Sequence, residues 1–377
     1  MSKGFIITKW TEDRGLVVHL KYPETLEVDL DDMMRIFYAH ITGAGEAGYV
    51  VVRLEKAQSN VASYFTGIDS SNPYMINLML ELGEDPETYG EKVIRDIYYD
   101  ILKYLLEMDK DMYKAPEIIK DLKVYLRETI ILLERLKNLT KEQKMAQIYT
   151  GEKTRKILQL LQEKAMSRKD LQNKLEDQLN KIITNLDITL EPFIKADLIK
   201  QDWVERSTDI HIFLQNDFII FRSNPKKLMN EAKKDHPSNY LAKKYMKKVR
   251  EFYNGYSPTF EDNIKIASHM INPDTYDYIA LLRDKPYPLN KLPKSSGSLG
   301  KQTADLLYNL EQDNIICIIE NEKDIKWVFL LSDILVEKFY PEYLIENIRK
   351  DFVSGKLRRE IATKHLDILE TVYPKSK

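Results

Sequence analysis

An internal duplication constrains this fold more than any other feature of the chain. "ILQLLQEKAMSRKDL" begins at Ile157 and "YIALLRDKPYPLNKL" at Tyr278. Aligned without a gap, Leu160, Leu161, Lys164 and Leu171 meet Leu281, Leu282, Lys285 and Leu292, and Glu163 meets Asp284. Farther on, "LIKQDWVERSTDIHIFLQNDFIIFRSNPKKL" parallels "LEQDNIICIIENEKDIKWVFLLSDILVEKFYPEYL". Gln201-Asp202 answers Gln312-Asp313, Ile210 answers Ile325, Asp217 answers Asp333 and Pro225 answers Pro341. "VREFYNG" at Val249 then resembles "RKDFVSG" at Arg349. Three coincidences in the same order mark a tandem repeat, and repeats stack or pair to bury what each alone leaves exposed.

Each repeat reads helix, helix, helix, strand, turn, strand. Helices are expected at 153–164, 168–179 and 188–200, with strands at 202–206 and 210–214. The second set is helices at 274–285, 287–293 and 299–311, with strands at 314–320 and 325–331. A helical extension follows each, with "NYLAKKYMKKVREFY" in the first and "YLIENIRKDF" in the second.

The first third of the chain follows a different rhythm. In "GLVVHLKY", Leu16, Val18 and Leu20 alternate with Val17, His19 and Lys21, the period of a strand. With "GFIITKW" before it and the turn-rich "TEDRG" between, Gly4–Lys21 reads as a hairpin. Asp29, Asp31 and Asp32 precede Met33, Met34, Ile36 and Phe37, as suits a helix N-terminus, where unpaired N–H groups favour negative charge. Strands are expected at Tyr49–Leu54, Asn60–Thr66 and Tyr74–Leu82. Asp85-Pro86 opens a helix whose apolar face holds Val93, Ile94, Ile97, Tyr98, Ile101, Leu102 and Leu105. A second amphipathic helix spans 115–137, with Ile118, Leu122, Leu126, Ile130, Leu133 and Leu136 on one side.

Within this region "GAGEAG", Gly43 to Gly48, spells the dinucleotide fingerprint G-x-G-x-x-G. A nucleotide loop must leave a strand and open a helix, because the pyrophosphate rests on the helix N-terminus. Here the glycines follow a helix and lead into a strand, and Glu46 would repel a phosphate. They are read as a helix stop, and no cofactor is expected.

The element order, with Gly15, Tyr22 and Pro23 in "GLVVHLKYP", resembles a longin domain over residues 1–110. That resemblance implies a five-stranded antiparallel sheet with flanking helices and a role in binding partners, often in small-GTPase regulation or membrane traffic. Profilin-like and roadblock folds are near alternatives. Three helices followed by a two-stranded wing resemble a winged helix, twice over. The whole chain is similar to Asgard-type archaeal proteins that join a longin-like domain to winged helices. The implied fold class is α+β, multidomain. Its expected parts are a longin-like domain (1–110), a connecting amphipathic helix (111–149), winged helix 1 (150–225), a basic helical extension (226–272), winged helix 2 (273–340) and a C-terminal helical extension (341–377).

Charge bears on partners. Residues 1–110 hold 11 Lys/Arg and 19 Asp/Glu, a balance of −8, while the remainder holds 46 and 40, a balance of +6. Such asymmetry accords with different partners for the two parts, or with attraction between them. Between Lys226 and Arg250 stand nine Lys/Arg and two acids. Lys243, Lys244, Lys247, Lys248 and Arg250 there are the leading candidates for an anionic partner or nucleic acid, against a plain solvated helix face. Lys291, Lys294, Lys301, Gln302 and Thr303, at the third helix of the second repeat, form the other candidate set. Against DNA, the first third helix offers Glu191 and Asp197 beside Lys195 and Lys200, and both wings, "ERSTD" and "ENEKD", are acidic. Phosphate neutralisation supplies most non-specific affinity, and such wings oppose it.

Catalytic and metal-binding patterns are not expected. The six histidines are scattered, without metal-ligand spacing. The one cysteine, Cys317, lies in the strand-like "IICIIE", where burial makes a thiol inert. A chain with one cysteine forms no internal disulfide, which fits a reducing, cytoplasmic setting. The start of the chain turns polar by Lys9, and no apolar run nears the ~18 residues a spanning helix needs. The expected role is a non-enzymatic adaptor that binds proteins, in small-GTPase or endomembrane-type machinery by family analogy. The alternative is a DNA-binding regulator whose first domain senses or dimerises.

Overall fold

The computed structural model describes residues 3–374, apart from 28, 43–45, 83, 85, 90, 181–182, 184–185 and 294–302. It is mixed α+β and divides after Asn138 into two compact units. No described helix is long and apolar enough to cross a membrane.

In the first unit the chain runs β1 (Gly4–Thr11), β2 (Gly15–Tyr22), α1 (Leu30–Ile41), β3 (Gly48–Leu54), β4 (Ser59–Phe65), β5 (Tyr74–Glu81), α2 (Glu91–Lys110) and α3 (Ala115–Lys137). The five strands form one antiparallel sheet in the order β2-β1-β5-β4-β3. Alternation sorts the side chains. Ile6, Val61, Phe65, Met75 and Met79 point to one face, where α1 brings Met33, Ile36 and Phe37. The other face meets α2, whose Tyr98 hydroxyl donates to the Ala62 carbonyl at 2.8 Å. Asp29 caps α1 by accepting from the Asp31 N–H, as the acidic run anticipates. Gly43 and Gly45 lie outside the described residues, but a helix, α1, precedes the glycine motif and β3 begins at its last member, Gly48. That order places no helix N-terminus after the motif.

The second unit holds two copies of one arrangement. The first copy is α4 (Lys141–Thr150), α5 (Glu152–Glu163), β6 (Met166–Ser167), α6 (Arg168–Leu179), α7 (Leu186–Lys195), β7 (Ile199–Asp202), β8 (His211–Leu214), β9 (Asp217–Ser223), α8 (Lys226–Ala232) and α9 (Asn239–Gly255). The second is α10 (Phe260–Ile271), α11 (Pro273–Asp284), β10 (Tyr287–Pro288), α12 (Thr303–Gln312), β11 (Ile316–Glu320), β12 (Lys326–Leu330), β13 (Asp333–Phe339), α13 (Glu342–Val353) and α14 (Arg359–Val372). Where α6 stands in the first copy, the second has a single 3-10 turn, Leu289–Lys291, not the helix expected at 287–293. Each copy folds a small sheet of matching order, β6-β8-β7 and β10-β12-β11.

The two copies are intertwined. β9 pairs antiparallel with β13 from Asp217↔Phe339 to Ser223↔Asp333, a ribbon symmetric about Ile220 and Val336. α4 packs on α10, and the side-chain amide of Gln143 donates to the Met270 carbonyl at 3.0 Å. After the ribbon each chain segment crosses to the opposite copy. α8 and α13 meet the second helix of the other copy, α11 and α5 respectively. On α9, Tyr245 donates its hydroxyl to the Leu330 carbonyl of β12 at 2.9 Å. On α14, His365 Nε2 lies 2.9 Å from the Leu214 carbonyl of β8. One continuous core runs from Met145 to Leu369 through both copies.

The geometry also corrects two of the sequence matches. Asp197 and Asn314 hold equivalent left-handed C-caps (φ 57 and 55), with the Leu198 N–H bonded to the Phe193 carbonyl and Ile315 N–H to Leu310 carbonyl. Asp202 ends strand β7, whereas Asp313 is the first residue after helix α12, so Gln201-Asp202 and Gln312-Asp313 are not counterparts. Val249 lies in α9, the counterpart of α14, and Arg349 in α13, the counterpart of α8, so that match is also out of register. Asp217 and Asp333 are true counterparts. Each opens its ribbon strand by accepting from the next backbone N–H, and each is held by the same position of the second helix of its copy, Gln162 of α5 at 2.9 Å and Arg283 of α11 at 2.7 Å.

Candidate functional site

Helix α9 carries the densest positive charge singled out in the sequence. Ser238 caps it, accepting from the Leu241 N–H. Leu241, Ala242, Tyr245 and Val249 are buried at spacings of three and four, which turns the intervening lysines outward. The outward residues form two rows. Lys243, Lys247 and Arg250, at i, i+4 and i+7, line an open groove of about 260 Å³ together with Ala232, Asp235, Ala242 and Met246. Lys244 and Lys248 lie on the other side of the stripe and are engaged there. Lys244 sits 4.2 Å over the Tyr240 ring, and Lys248 Nζ donates to the Ile318 carbonyl at 3.3 Å. Lys247 is 3.7 Å from Glu251 across an exposed turn, a contact of little weight. The groove is thus basic along one wall, small and apolar on its floor, and acidic at Asp235.

Of the second candidate set, two residues are described. Lys291 is exposed at the end of the 3-10 turn after β10, and Thr303 is the first residue of α12. Lys294, Lys301 and Gln302 lie outside the described residues.

The exposed faces of α7 and α12 and the turns within the two small sheets bear carboxylates. On α7, Asp187 is exposed and pairs with Arg168 at 2.5 Å, and Lys195 is ion-paired with Glu191. On α12 the outward residues include Asp305, Asn309 and Tyr308, the tyrosine 61% exposed. The turn from β7 to β8 exposes Glu205 and Arg206 beside Trp203, which is 60% exposed, and the turn from β11 to β12 exposes Glu322, Lys323 and Asp324.

Sequence reasoning missed a third cluster, which is buried. Arg222, near the end of ribbon strand β9, spreads its guanidinium over four partners of the other copy. It donates to both oxygens of Asp262 (2.7 and 2.8 Å), to the Asp313 and Asn314 carbonyls (2.8 and 3.2 Å) and to Ser332 Oγ (2.7 Å). The rings of Phe252 and Tyr256 flank it. In sequence Arg222 is one base among "FIIFRS", and nothing marks it as different from a solvated edge residue. Its counterpart Lys338 makes a looser 3.7 Å contact with Asp197, which Lys141 also pairs.

The titratable groups that chemistry would need are held structurally. Burial pushes the Cys317 thiol up to about 12, far from a thiolate. Burial lowers His40 to about 4, with Nε2 2.9 Å from Ser63 Oγ. It lowers His365 as well, and His269 despite the Asp313 carboxylate 2.7 Å away. Among the described residues, no group of three or more His, Cys, Asp or Glu side chains could hold a metal ion.

These buried histidines carry a pH dependence. Each is neutral in the fold and protonates more readily when unfolded, so stability is complete above about pH 6.5 and falls as pH drops toward 4. Thermal melts should show a midpoint several degrees lower at pH 5 than at pH 7, and His40→Gln should flatten part of that slope. A melting temperature independent of pH over this window would contradict the neutral assignment.

The chain matches no protein-family model, no curated protein and no solved structure.

Proposed function

We propose that the chain is a non-enzymatic adaptor: a longin-like sheet module followed by an intertwined pair of winged-helix-like units that meet other proteins. The strand order β2-β1-β5-β4-β3 with helices on both faces supports the longin-like reading. The helix, short strand, helix, helix, strand, strand sequence of the first copy, with its sheet order β6-β8-β7, supports the winged-helix reading. The second copy follows it with one turn in place of the middle helix. Small-GTPase or endomembrane-type partners rest on family resemblance alone, and fold does not imply function.

One observation favours protein over DNA as the ligand of the paired units. Their third helices and wings present Asp187, Glu191, Glu205, Asp305, Glu322 and Asp324 beside exposed Trp203 and Tyr308. Carboxylates repel a phosphate backbone, while exposed aromatics anchor protein interfaces.

The Lys243–Lys247–Arg250 row favours a second reading, a nucleic-acid contact made through α9 rather than through the wings. Fluorescence anisotropy with a labelled DNA duplex at two salt concentrations separates the readings. The adaptor reading expects binding no tighter than the non-specific range of about 10⁻⁴–10⁻⁶ M at physiological salt. Nanomolar binding that falls steeply with salt, and is lost on Lys243→Glu/Lys247→Glu/Arg250→Glu, would establish the nucleic-acid reading instead.

A further inference from the structure

The helix pairs that follow the ribbon strands, α8–α9 and α13–α14, align residue by residue. α8 and α13 each run into a left-handed residue, Asp235 (φ 63) and Gly355 (φ 69). After α8 the Asp235 N–H bonds to the Ala232 carbonyl and the His236 N–H to that of Glu231. After α13 the Gly355 N–H bonds to the Phe352 carbonyl and the Lys356 N–H to that of Asp351. Ser238 and Arg358 then hold the N-cap positions of α9 and α14. Tyr245 and His365 reach the Leu330 and Leu214 carbonyls, each opposite the first residue of the neighbouring strand, Ile316 and Ile199. One register satisfies all these marks. It sets Ala232 against Phe352, Met246 against Leu366, Lys247 against Asp367 and Arg250 against Glu370.

Equivalent faces of the two copies are therefore opposites in shape and charge. On the first, Ala232 and Ala242 leave an open groove of about 260 Å³ walled by Lys243, Lys247 and Arg250. On the second, a phenylalanine ring stands where the groove has Ala232. Phe352 is 48% and Leu366 41% exposed, beside exposed Val353, Asp367 and Glu370. An apolar cavity of ~150 Å³ already takes a benzene ring, so the groove has room for the Phe352 side chain. Seating it there takes Phe352 and Leu366 out of water and brings two carboxylates toward three bases. The remaining acid of the groove, Asp235, accepts from the Asn239 side-chain amide at 2.8 Å. Groove and ring are both exposed in the same chain, so neither covers the other.

We infer that the α8–α9 groove receives the α13–α14 knob of a second molecule of this chain, with Phe352 seated over Ala232 and with Asp367 and Glu370 facing the Lys243–Lys247–Arg250 row. Two different patches meet, so the contact is heterologous, and each added molecule brings a free groove or knob for the next. The inference is independent of the adaptor reading, and a DNA duplex on the same basic row would exclude it. The patch is small, so association is expected at roughly 10–100 µM and should weaken with salt.

Sedimentation velocity of the full chain over that concentration range, at low and at physiological salt, tests it. The sedimentation coefficient should rise with concentration, and less steeply at the higher salt. Phe352→Ala removes an exposed ring, so it should keep the parent melting temperature while weakening association about tenfold or more. Ala232→Phe gives the first copy the residue that the second already carries, and should fill the groove and abolish association. Lys243→Glu/Lys247→Glu and Asp367→Lys/Glu370→Lys should each be monomeric alone, because like charges then meet. Mixed in equal amounts they should associate again, since each supplies the charge the other lacks. A parent chain that stays monomeric over the range, association that Phe352→Ala leaves intact, or reversed variants that stay monomeric when mixed would overturn the inference. A monomeric chain whose duplex binding is lost in Lys243→Glu/Lys247→Glu would assign the row to nucleic acid instead.

Discussion

Arg222→Met should destabilise residues 139–377 by about 3–5 kcal/mol, the cost expected when one member of a buried, hydrogen-bonded ionic cluster is removed. The guanidinium side chain is 2% exposed, and it bridges the ribbon to Asp262 on α10 and to the turn before β11. Without it the Asp313 carbonyl loses its charged donor, and the Asp262 carboxylate keeps the Tyr256 hydroxyl, while the Asp262 backbone N–H still donates to the Thr259 cap. Arg222→Lys should recover little, since a single ammonium cannot reproduce five donors in a plane. The contrast lies at the symmetry-related position. Lys338 is 35% exposed and 3.7 Å from Asp197, so Lys338→Ala should cost under about 1 kcal/mol. Urea midpoints of the three variants check the ordering, and equal costs at the two positions would mean that the Arg222 cluster does not join the copies.

The second large effect is expected at Tyr245. Its side chain is fully buried, its ring stacks on Phe329 at 4.8 Å, and its hydroxyl serves the Leu330 carbonyl. Tyr245→Ala should cost about 3–5 kcal/mol, as for other large aromatic truncations in a core. Tyr245→Phe should cost about 1–3 kcal/mol, the penalty for leaving a buried carbonyl unpaired. The informative part is where the damage falls. Tyr245 belongs to the first copy in sequence, yet the sheet it supports belongs to the second. Hydrogen exchange in Tyr245→Phe should therefore speed up at β11 and β12 before it does at β7 and β8. The reverse order would mean that α9 stays with its own copy.

How much of this was legible in the sequence follows from what a pattern encodes. In the first unit, period-two alternation and the long stripes of α2 and α3 place every strand and helix within a few residues. In the second unit, matched leucines on the first helices and Asp217 with Asp333 expose the duplication. The alignment slips before the small-sheet turns because the dipeptide Gln-Asp recurs in two settings, at the end of β7 (Gln201-Asp202) and at the end of α12 (Gln312-Asp313), and identity alone does not distinguish them. β6 and β10 are two residues each, too short for any period. An apolar stripe such as Leu241, Tyr245 and Val249 says that α9 is buried, not against which copy. For the same reason the sequence places Lys243, Lys247 and Arg250 on a helix surface but not the groove beside them, and gives no sign that Lys248 is already engaged by the second sheet.

Residues 139–377 fold as one interlocked body, not as two beads, and the roles given to Arg222 and Tyr245 depend on it. Pulsed hydrogen exchange across a urea gradient measures this directly in the unmodified chain. Peptides covering β8 and β12, together with both ribbon strands β9 and β13, should lose protection at one common urea concentration. Loss of protection in one copy while the other remains protected would contradict it.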